Sequence, residues 1–285
     1  MRLAPKTLGR TRRFAIVRRM RSPLLPLLFA LFCAVVTTPA AEPRHVLLVG
    51  QGPDGHPTGT HEFMLGVQLI DKLLAPYKGQ IETTIVKADE PWAEGPGLID
   101  KADGIVFMVT QGAQWMQNDP QRFAAFQRFC ARQGALVALH WSIGAKDAQY
   151  IPGQLALLGG TRGGTQRKYK VLERDVHLVE PAHPVLAGMK DFKIDDEWYY
   201  HLDLQPPSPG FHPLFSVNLD DKNETVCWAW DRPDGGRSFG FVGIHFHKNW
   251  ERIEYRRLVS QAILWSLKLP IPEGGLKDEQ LAVMP

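Results

Sequence analysis

Apolar positions recur along this chain in two rhythms. His45-Val46-Leu47-Leu48-Val49-Gly50 is an almost unbroken apolar run followed by a glycine-rich loop, the pattern of a strand covered on both faces. Residues 62–75 shift to a period near that of a helix, with Phe63, Val67, Ile70 and Leu74 on one side and Pro76 as the stop. Ile81 to Val86 alternates as a second strand, and Gly104 to Thr110 is a third. The next helix is predicted to start at Asn118 or Asp119 with Pro120 in its first turn, and Phe123, Phe126 and Cys130 share a face until Gly134 ends it. Ala135 to Leu139 reads as a fourth strand. Strand, helix, strand, strand, helix, strand with short connections predicts an α/β protein with a doubly wound sheet.

From Tyr150 to Arg237 the rhythm breaks into short β-like pieces (Lys170–Leu172, His177–Val179, His212–Val217, Thr225–Trp230) separated by Pro and Gly, which predicts an inserted β-rich excursion from the core sheet. Arg237 to His245 returns as a strand, and Tyr255, Leu258, Val259, Ala262, Ile263 and Trp265 lay an apolar stripe on a closing helix. The main domain is thus expected over residues 42–269, with 270–285 a disordered tail.

Charge changes the picture at the amino terminus. Eight of the 33 basic residues and none of the 30 acidic ones lie in residues 1–40, leaving 25 bases against 30 acids in the rest. The body is therefore acidic despite the formal charge of +3, and no nucleic-acid partner is expected. The eight bases precede an apolar run, Leu24 to Val36, and then Thr37-Thr38-Pro39-Ala40-Ala41, the pattern of a secretory signal peptide over residues 1–40 cleaved near Ala40. The run is shorter than a bilayer crossing requires, so no stable membrane insertion is expected after the leader is removed, and the mature protein is read as secreted or periplasmic. Arg12-Arg13-Phe14 is an imperfect twin-arginine pattern, and Cys33 leaves with the leader. Of the other two cysteines, Cys130 falls on a helix and Cys227 in a strand, which predicts two separate buried thiols.

In open α/β sheets ligands bind beyond the carboxyl ends of the strands. Three such ends carry histidines: Gly59-Thr60-His61-Glu62, Leu139-His140-Trp141-Ser142 and Gly243-Ile244-His245-Phe246-His247. One histidine at a strand end reads most simply as a structural hydrogen-bonder; three converging on one face read as a site. The segment Asp195-Asp196-Glu197-Trp198-Tyr199-Tyr200-His201 reads by itself as a solvated acidic turn entering a strand. Alternation puts Glu197 and Tyr199 on one face and Asp196 and Trp198 on the other, so one carboxylate can face a pocket while its neighbour faces solvent. His61, His140, Glu197 and His245 are thus candidate ligands for a divalent metal such as zinc, and His140, Glu197 and His245 candidate catalytic groups. Trp228 and Trp230 share a strand face and Trp250 follows the last histidine pair. Indoles so placed fill a core or stack on pyranose rings. With His61, Tyr199 and His247 they form the candidate substrate-binding set. No nucleotide cofactor is expected.

Taken together these residues resemble the ThuA-like proteins, named for trehalose utilisation. The resemblance is carried by His61 after the first strand, Ala138-Leu139-His140, Leu157-Leu158-Gly159-Gly160, His183-Pro184-Val185, Asp196-Glu197-Trp198-Tyr199, Trp228-Ala229-Trp230, Gly243-Ile244-His245 and Ala262-Ile263-Leu264-Trp265. It implies a flavodoxin-like core similar to the class I glutamine amidotransferase domain, with His140 at the elbow where an amidotransferase carries its nucleophilic cysteine. A histidine forms no thioester there, which argues against glutamine hydrolysis through cysteine. Ser142 lacks the glycine frame of a serine nucleophile. The resemblance implies carbohydrate processing, such as cleavage of a keto-glycoside or disaccharide by histidine and carboxylate acid-base chemistry or with a metal. The alternative is a non-catalytic carbohydrate-binding or accessory protein on the same fold, with a small carbohydrate as ligand in both cases.

Overall fold

The computed structural model describes residues 42–283; the leader, its cleavage point and Cys33 lie outside them. The first apolar run forms β1 (Arg44–Gly50), in which Val46, Leu47, Leu48 and Val49 are fully buried. Parallel neighbours flank it, β2 (Ile81–Lys87) on one side and β3 (Gly104–Met108) on the other. Between β1 and β2, α1 (Phe63–Leu74) buries the predicted stripe, widened by Gly66, Leu69 and Leu73. Two short helices follow, α2 (Gly95–Ile99) and α3 (Gly112–Gln117). Then α4 (Pro120–Ala131) starts where its residues dictate: the Asp119 carboxylate accepts from the N–H groups of Gln121 and Arg122, two donors that a helix start leaves without partners. β4 (Ala135–Leu139), buried throughout, closes this half.

The second half is β-rich, as expected, and its strands continue the central sheet. After α5 (Ile151–Leu158) and a two-residue β5 (Gly160–Thr161) come β6 (Lys168–Leu178), β7 (Phe192–Tyr200), β8 (Asp203–Leu204), β9 (Phe211–Leu219), β10 (Lys222–Asp231) and β11 (Arg237–Phe241). β8 pairs only with β5, and the others extend the central sheet, in the order β2-β1-β3-β4-β11-β10-β9-β6-β7. The first five strands run parallel, and from β11 onward each pair is antiparallel. The pieces read separately at 170–172 and 177–179 are one strand, because Glu173, Arg174 and Asp175 between them sit on a partly solvated sheet and interrupt the apolar signal.

The closing helix α6 (Ile253–Ser266) buries Tyr255, Leu258, Val259, Ala262 and Ile263. The stretch after Pro270, expected to be a disordered tail, is held through residue 283. Leu276 and Leu281 are buried, the Leu276 N–H donates to Gln261 Oε1 at 2.8 Å, and Arg256 Nη1 donates to the Val283 carbonyl at 2.9 Å. The apolar residues of this segment are too irregularly spaced to show a period, yet both leucines are anchored. Cys130 and Cys227 are separate buried thiols, as expected; burial pushes the Cys130 thiol up to about 11 and the Cys227 thiol well above its ordinary value.

His183 opens a short helical turn, its Nδ1 accepting from the Val185 N–H at 3.2 Å. Burial, with the neighbouring His212, pushes its pKa down to about 4. The ring is neutral in the fold, whereas the unfolded chain takes up its proton near pH 6.5. Stability is therefore complete above about pH 6.5 and falls as the pH drops towards 4, by on the order of 3 kcal/mol. His183→Asn keeps the acceptor without titrating. The difference in unfolding free energy between wild type and variant is expected to be constant above pH 6.5 and to shift in the variant's favour down to pH 4. A difference that stays constant across that window would contradict this assignment.

Candidate functional site

The loop after β1, the turn after β4 and the turn after β11 meet at the carboxyl edge of the parallel half-sheet, bringing His61, His140 and His245 together with Glu197 from β7. One ligand atom from each lies within 4.8 Å of all the others. His140 is completely buried, and its Nδ1 is 2.8 Å from the Val242 carbonyl. A carbonyl only accepts, so Nδ1 carries the hydrogen and Nε2 presents a bare lone pair. His61 Nδ1 is likewise 2.7 Å from an Asp54 carboxylate oxygen, which leaves its Nε2 bare. These two Nε2 atoms face each other at 2.9 Å. His245 adds Nδ1 at 3.2 Å from His140 Nε2, and Glu197 Oε2 stands 3.4 Å from both of those nitrogens.

Electrostatics keep the rings neutral. Burial pushes the His140 pKa well down, reinforced by His61 and His245. Burial lowers His61 against the opposing pull of Asp54, and His245 falls to about 4 through burial and the neighbouring His61 and His56. Glu197 is raised by burial, which the hydrogen bond from Tyr199 opposes. Three neutral imidazoles around a carboxylate are a donor set for a divalent ion. Bond lengths near 2.0–2.1 Å place tetrahedral ligand atoms about 3.3 Å apart, and His140 Nε2 stands 2.9 Å from the His61 nitrogen and 3.2 Å from the His245 nitrogen. The Asp54–His61 and Val242–His140 hydrogen bonds are the outer partners that orient metal-binding imidazoles.

The backbone is forced into this arrangement. His61 and His140 adopt φ of 51° and 52°, and Ile244 adopts 76°, a conformation that a β-branched residue holds only when its surroundings impose it. The fully buried Asp196 imposes it here. Its carboxylate accepts from the N–H groups of Ile244 at 2.8 Å and His245 at 3.1 Å and from the Tyr255 hydroxyl at 2.8 Å. The expectation that Asp196 faces solvent is therefore corrected: the face of β7 opposite Glu197 is covered by α6 and the turn after β11.

The family model for ThuA, described as trehalose utilisation, matches residues 53–266. The chain belongs to the ThuA family. A putative ThuA-like protein from Bacteroides uniformis superimposes with a TM-score of 0.61 at 15% identity, over 81% of this chain and 94% of that one. Another from Parabacteroides merdae gives 0.57 at 14% identity, over 79% and 90%. The glutaminase domain of Trypanosoma brucei CTPS gives 0.48 at 10% identity, over 82% and 98%. No curated protein matches the sequence.

In this ThuA-family protein the sugar-platform reading of the tryptophans is corrected. Trp228 is fully buried, donates its indole N–H to the Leu158 carbonyl at 3.0 Å and fills the space left by Gly160 and Gly240. Trp230 packs on Gly159, and Trp250 is buried near Gly66. Alternation showed that Trp228 and Trp230 share a face, but that face is covered. His247 stands outside the four-residue cluster, its ring half-buried with Nδ1 lacking a partner among the described residues. Tyr199 does reach the site: its hydroxyl is 3.1 Å from His140 Nε2, and its ring stacks on the imidazole.

Sequence reasoning missed Asp54 and His56, which hydrogen-bond to each other at 2.7 Å in the loop that delivers His61; the His56 ring also lies against that of His61, tilted by 35° with centroids 3.7 Å apart. Their signal was proximity, since both lie in the same glycine-rich stretch. It also missed Tyr169, 60% exposed and directly opposite Tyr199 in the β6–β7 register, and hence on the same sheet face. Arg162, isolated between two glycine pairs, was missed too. A cavity of about 300 Å³ adjoins His56 and His61.

Proposed function

We propose that this protein is a metal-dependent, carbohydrate-processing enzyme. His61, His140 and His245 hold a divalent ion such as zinc, and Glu197 is the acid-base group that cleaves a keto-glycoside or related disaccharide. The observation that carries this reading is the pair of bare Nε2 atoms of His61 and His140 at 2.9 Å, whose lone pairs repel unless a cation lies between them. Three histidines leave a coordination position open, as catalytic sites require.

Held by His61, His140 and His245, a divalent ion would supply Lewis-acid polarisation of a substrate ketone. Glu197, the least enclosed of the four and poised by burial towards a higher pKa, takes the proton from the carbon beside the ketone. The glycosidic C–O bond then breaks, and its electron pair leaves on the aglycone oxygen, which takes up a proton. Such an elimination replaces the two opposed carboxylates of a hydrolytic glycosidase. The family's description as trehalose utilisation supports a sugar substrate, and the exposed Tyr169 ring supplies a stacking surface on the side of Glu197 and Tyr199. The basic and apolar leader supports action outside the cytoplasm.

Elemental analysis of the purified protein is expected to find one divalent ion per chain, and chelation to remove both the ion and turnover of a 3-keto-glycoside. Glu197→Gln is expected to keep the ion and lose roughly 10²–10⁴-fold in turnover. Undiminished turnover by metal-free protein would overturn the proposal. Sugar binding with neither metal nor turnover would identify a binding module instead.

A further inference from the structure

Four arginines are buried among the described residues: Arg122, Arg162, Arg232 and Arg256. Three are tied down by hydrogen bonds. Arg122 donates to Glu90 at 2.6 Å, Arg232 to the Gly134 carbonyl at 2.7 Å and the Ser238 hydroxyl at 2.8 Å, and Arg256 to the Trp250 and Val283 carbonyls at 3.2 and 2.9 Å. Arg162 differs. It is 4% exposed, and where Arg122 and Arg256 have some enclosed nitrogens unpartnered but others bonded, no guanidinium nitrogen of Arg162 finds an acceptor among the described residues, Nε and Nη1 being fully enclosed.

Its guanidinium instead lies 3.6 Å over the Tyr199 ring and 4.6 Å from the Trp141 ring centroid. The Tyr199 hydroxyl reaches His140 Nε2, so the cation stands one phenol ring away from the histidine cluster. The backbone holds it there. The Arg162 carbonyl accepts from the Ala145 N–H at 3.0 Å, and the chain passes so close to Gly144 (φ +103°) that a Cβ there would overlap the Arg162 carbonyl and Cγ. Aromatic faces attract the cation but supply no acceptor to its N–H groups, and buried donors without acceptors cost the fold free energy. The planar fork of a guanidinium matches the two oxygens of a carboxylate.

We propose that Arg162 binds a carboxylate carried by the substrate, so that this site takes acidic sugars, uronates or aldonates and their glycosides, in preference to neutral ones. The assignment rests on reading the adjoining histidine and glutamate cluster as the reacting centre. Substrate bound in this way presents its ring beside Tyr199 and the exposed Tyr169, with the carboxylate drawn inward and the remaining hydroxyls towards solvent.

The test is calorimetric titration of D-glucuronate, D-glucose and inorganic phosphate into wild type, Arg162→Met and Arg162→Lys, each zinc-loaded and chelator-treated. Wild type is expected to bind glucuronate about tenfold or more tighter than glucose or phosphate in both metal states, the scale of one charge-assisted hydrogen bond. Arg162→Met should lose that preference and Arg162→Lys keep part of it. Zinc uptake by Arg162→Met should equal wild type, and its melting temperature should be unchanged or higher, because an apolar chain replaces an unpaired buried cation. Equal affinity for glucuronate and glucose in wild type would overturn the proposal, as would a preference that survives in Arg162→Met, or phosphate binding as tightly as glucuronate. Should Arg162→Met fail to fold, the wild-type comparison still decides. Failure of the metal reading shows separately, as absent zinc uptake in a wild type whose sugar preference remains measurable.

Discussion

His140→Ala is expected to lose its metal and to turn over keto-glycoside roughly a thousandfold more slowly, the upper scale for removing one preorganised electrostatic group from an active site. His140 Nε2 is the hub of the cluster, with His61, Tyr199, His245 and Glu197 all within 3.4 Å of it. The substitution also leaves the Val242 carbonyl without its partner, at a cost of about 1–3 kcal/mol. That loss is visible in a thermal melt but too small to empty the folded state of a domain this size. Metal analysis, a melt and a turnover assay on the same preparation separate the two effects. Normal turnover by well-folded His140→Ala protein would defeat the proposed mechanism and leave the histidines a structural role.

Asp196→Asn is expected to be the most destabilising conservative change near the site, by about 3 kcal/mol or more. Both carboxylate oxygens accept hydrogen bonds: Oδ1 from the N–H groups of Glu197 and His245, Oδ2 from Ile244 N–H and the Tyr255 hydroxyl. An amide replaces one of these oxygens by an NH₂ group, which confronts two donors with a third inside the packing between β7 and α6. Ile244 loses a bond that holds it at positive φ, and His245 turns away from the cluster. Denaturant unfolding should report the loss of stability, with weakened metal uptake in the fraction that remains folded. An unchanged unfolding midpoint would show that the turn after β11 is held by other contacts.

Local pattern made much of the scaffold legible. The apolar runs at β1 and β4, the helical stripe of α1, and Asp119 with Pro120 at the head of α4 each act over a few residues, and each element forms where those residues place it. The strand-end rule then led to three histidines, because a doubly wound sheet exposes its ligand edge where its strands stop. Pattern failed where one covered surface had to be told from another. Alternation put Trp228 with Trp230 and set Asp196 opposite Glu197, but a period of two does not say what lies on each face. Three of these proved buried where solvent or a ligand was expected.

The sequence by itself determined the strands and helices of the first half and singled out the histidines and Glu197, since these follow from short-range periodicity and residue chemistry, and its short motifs carried the resemblance to the family. Only the tertiary structure decided that His61 and His245 meet His140 across 79 and 105 residues of chain, that Asp54 and Val242 bare their nitrogens, and that Arg162 is enclosed with donors unmatched. The physical reason is that hydrogen-bond direction, burial and lone-pair orientation belong to the packed arrangement of distant segments, and no local window of sequence contains them.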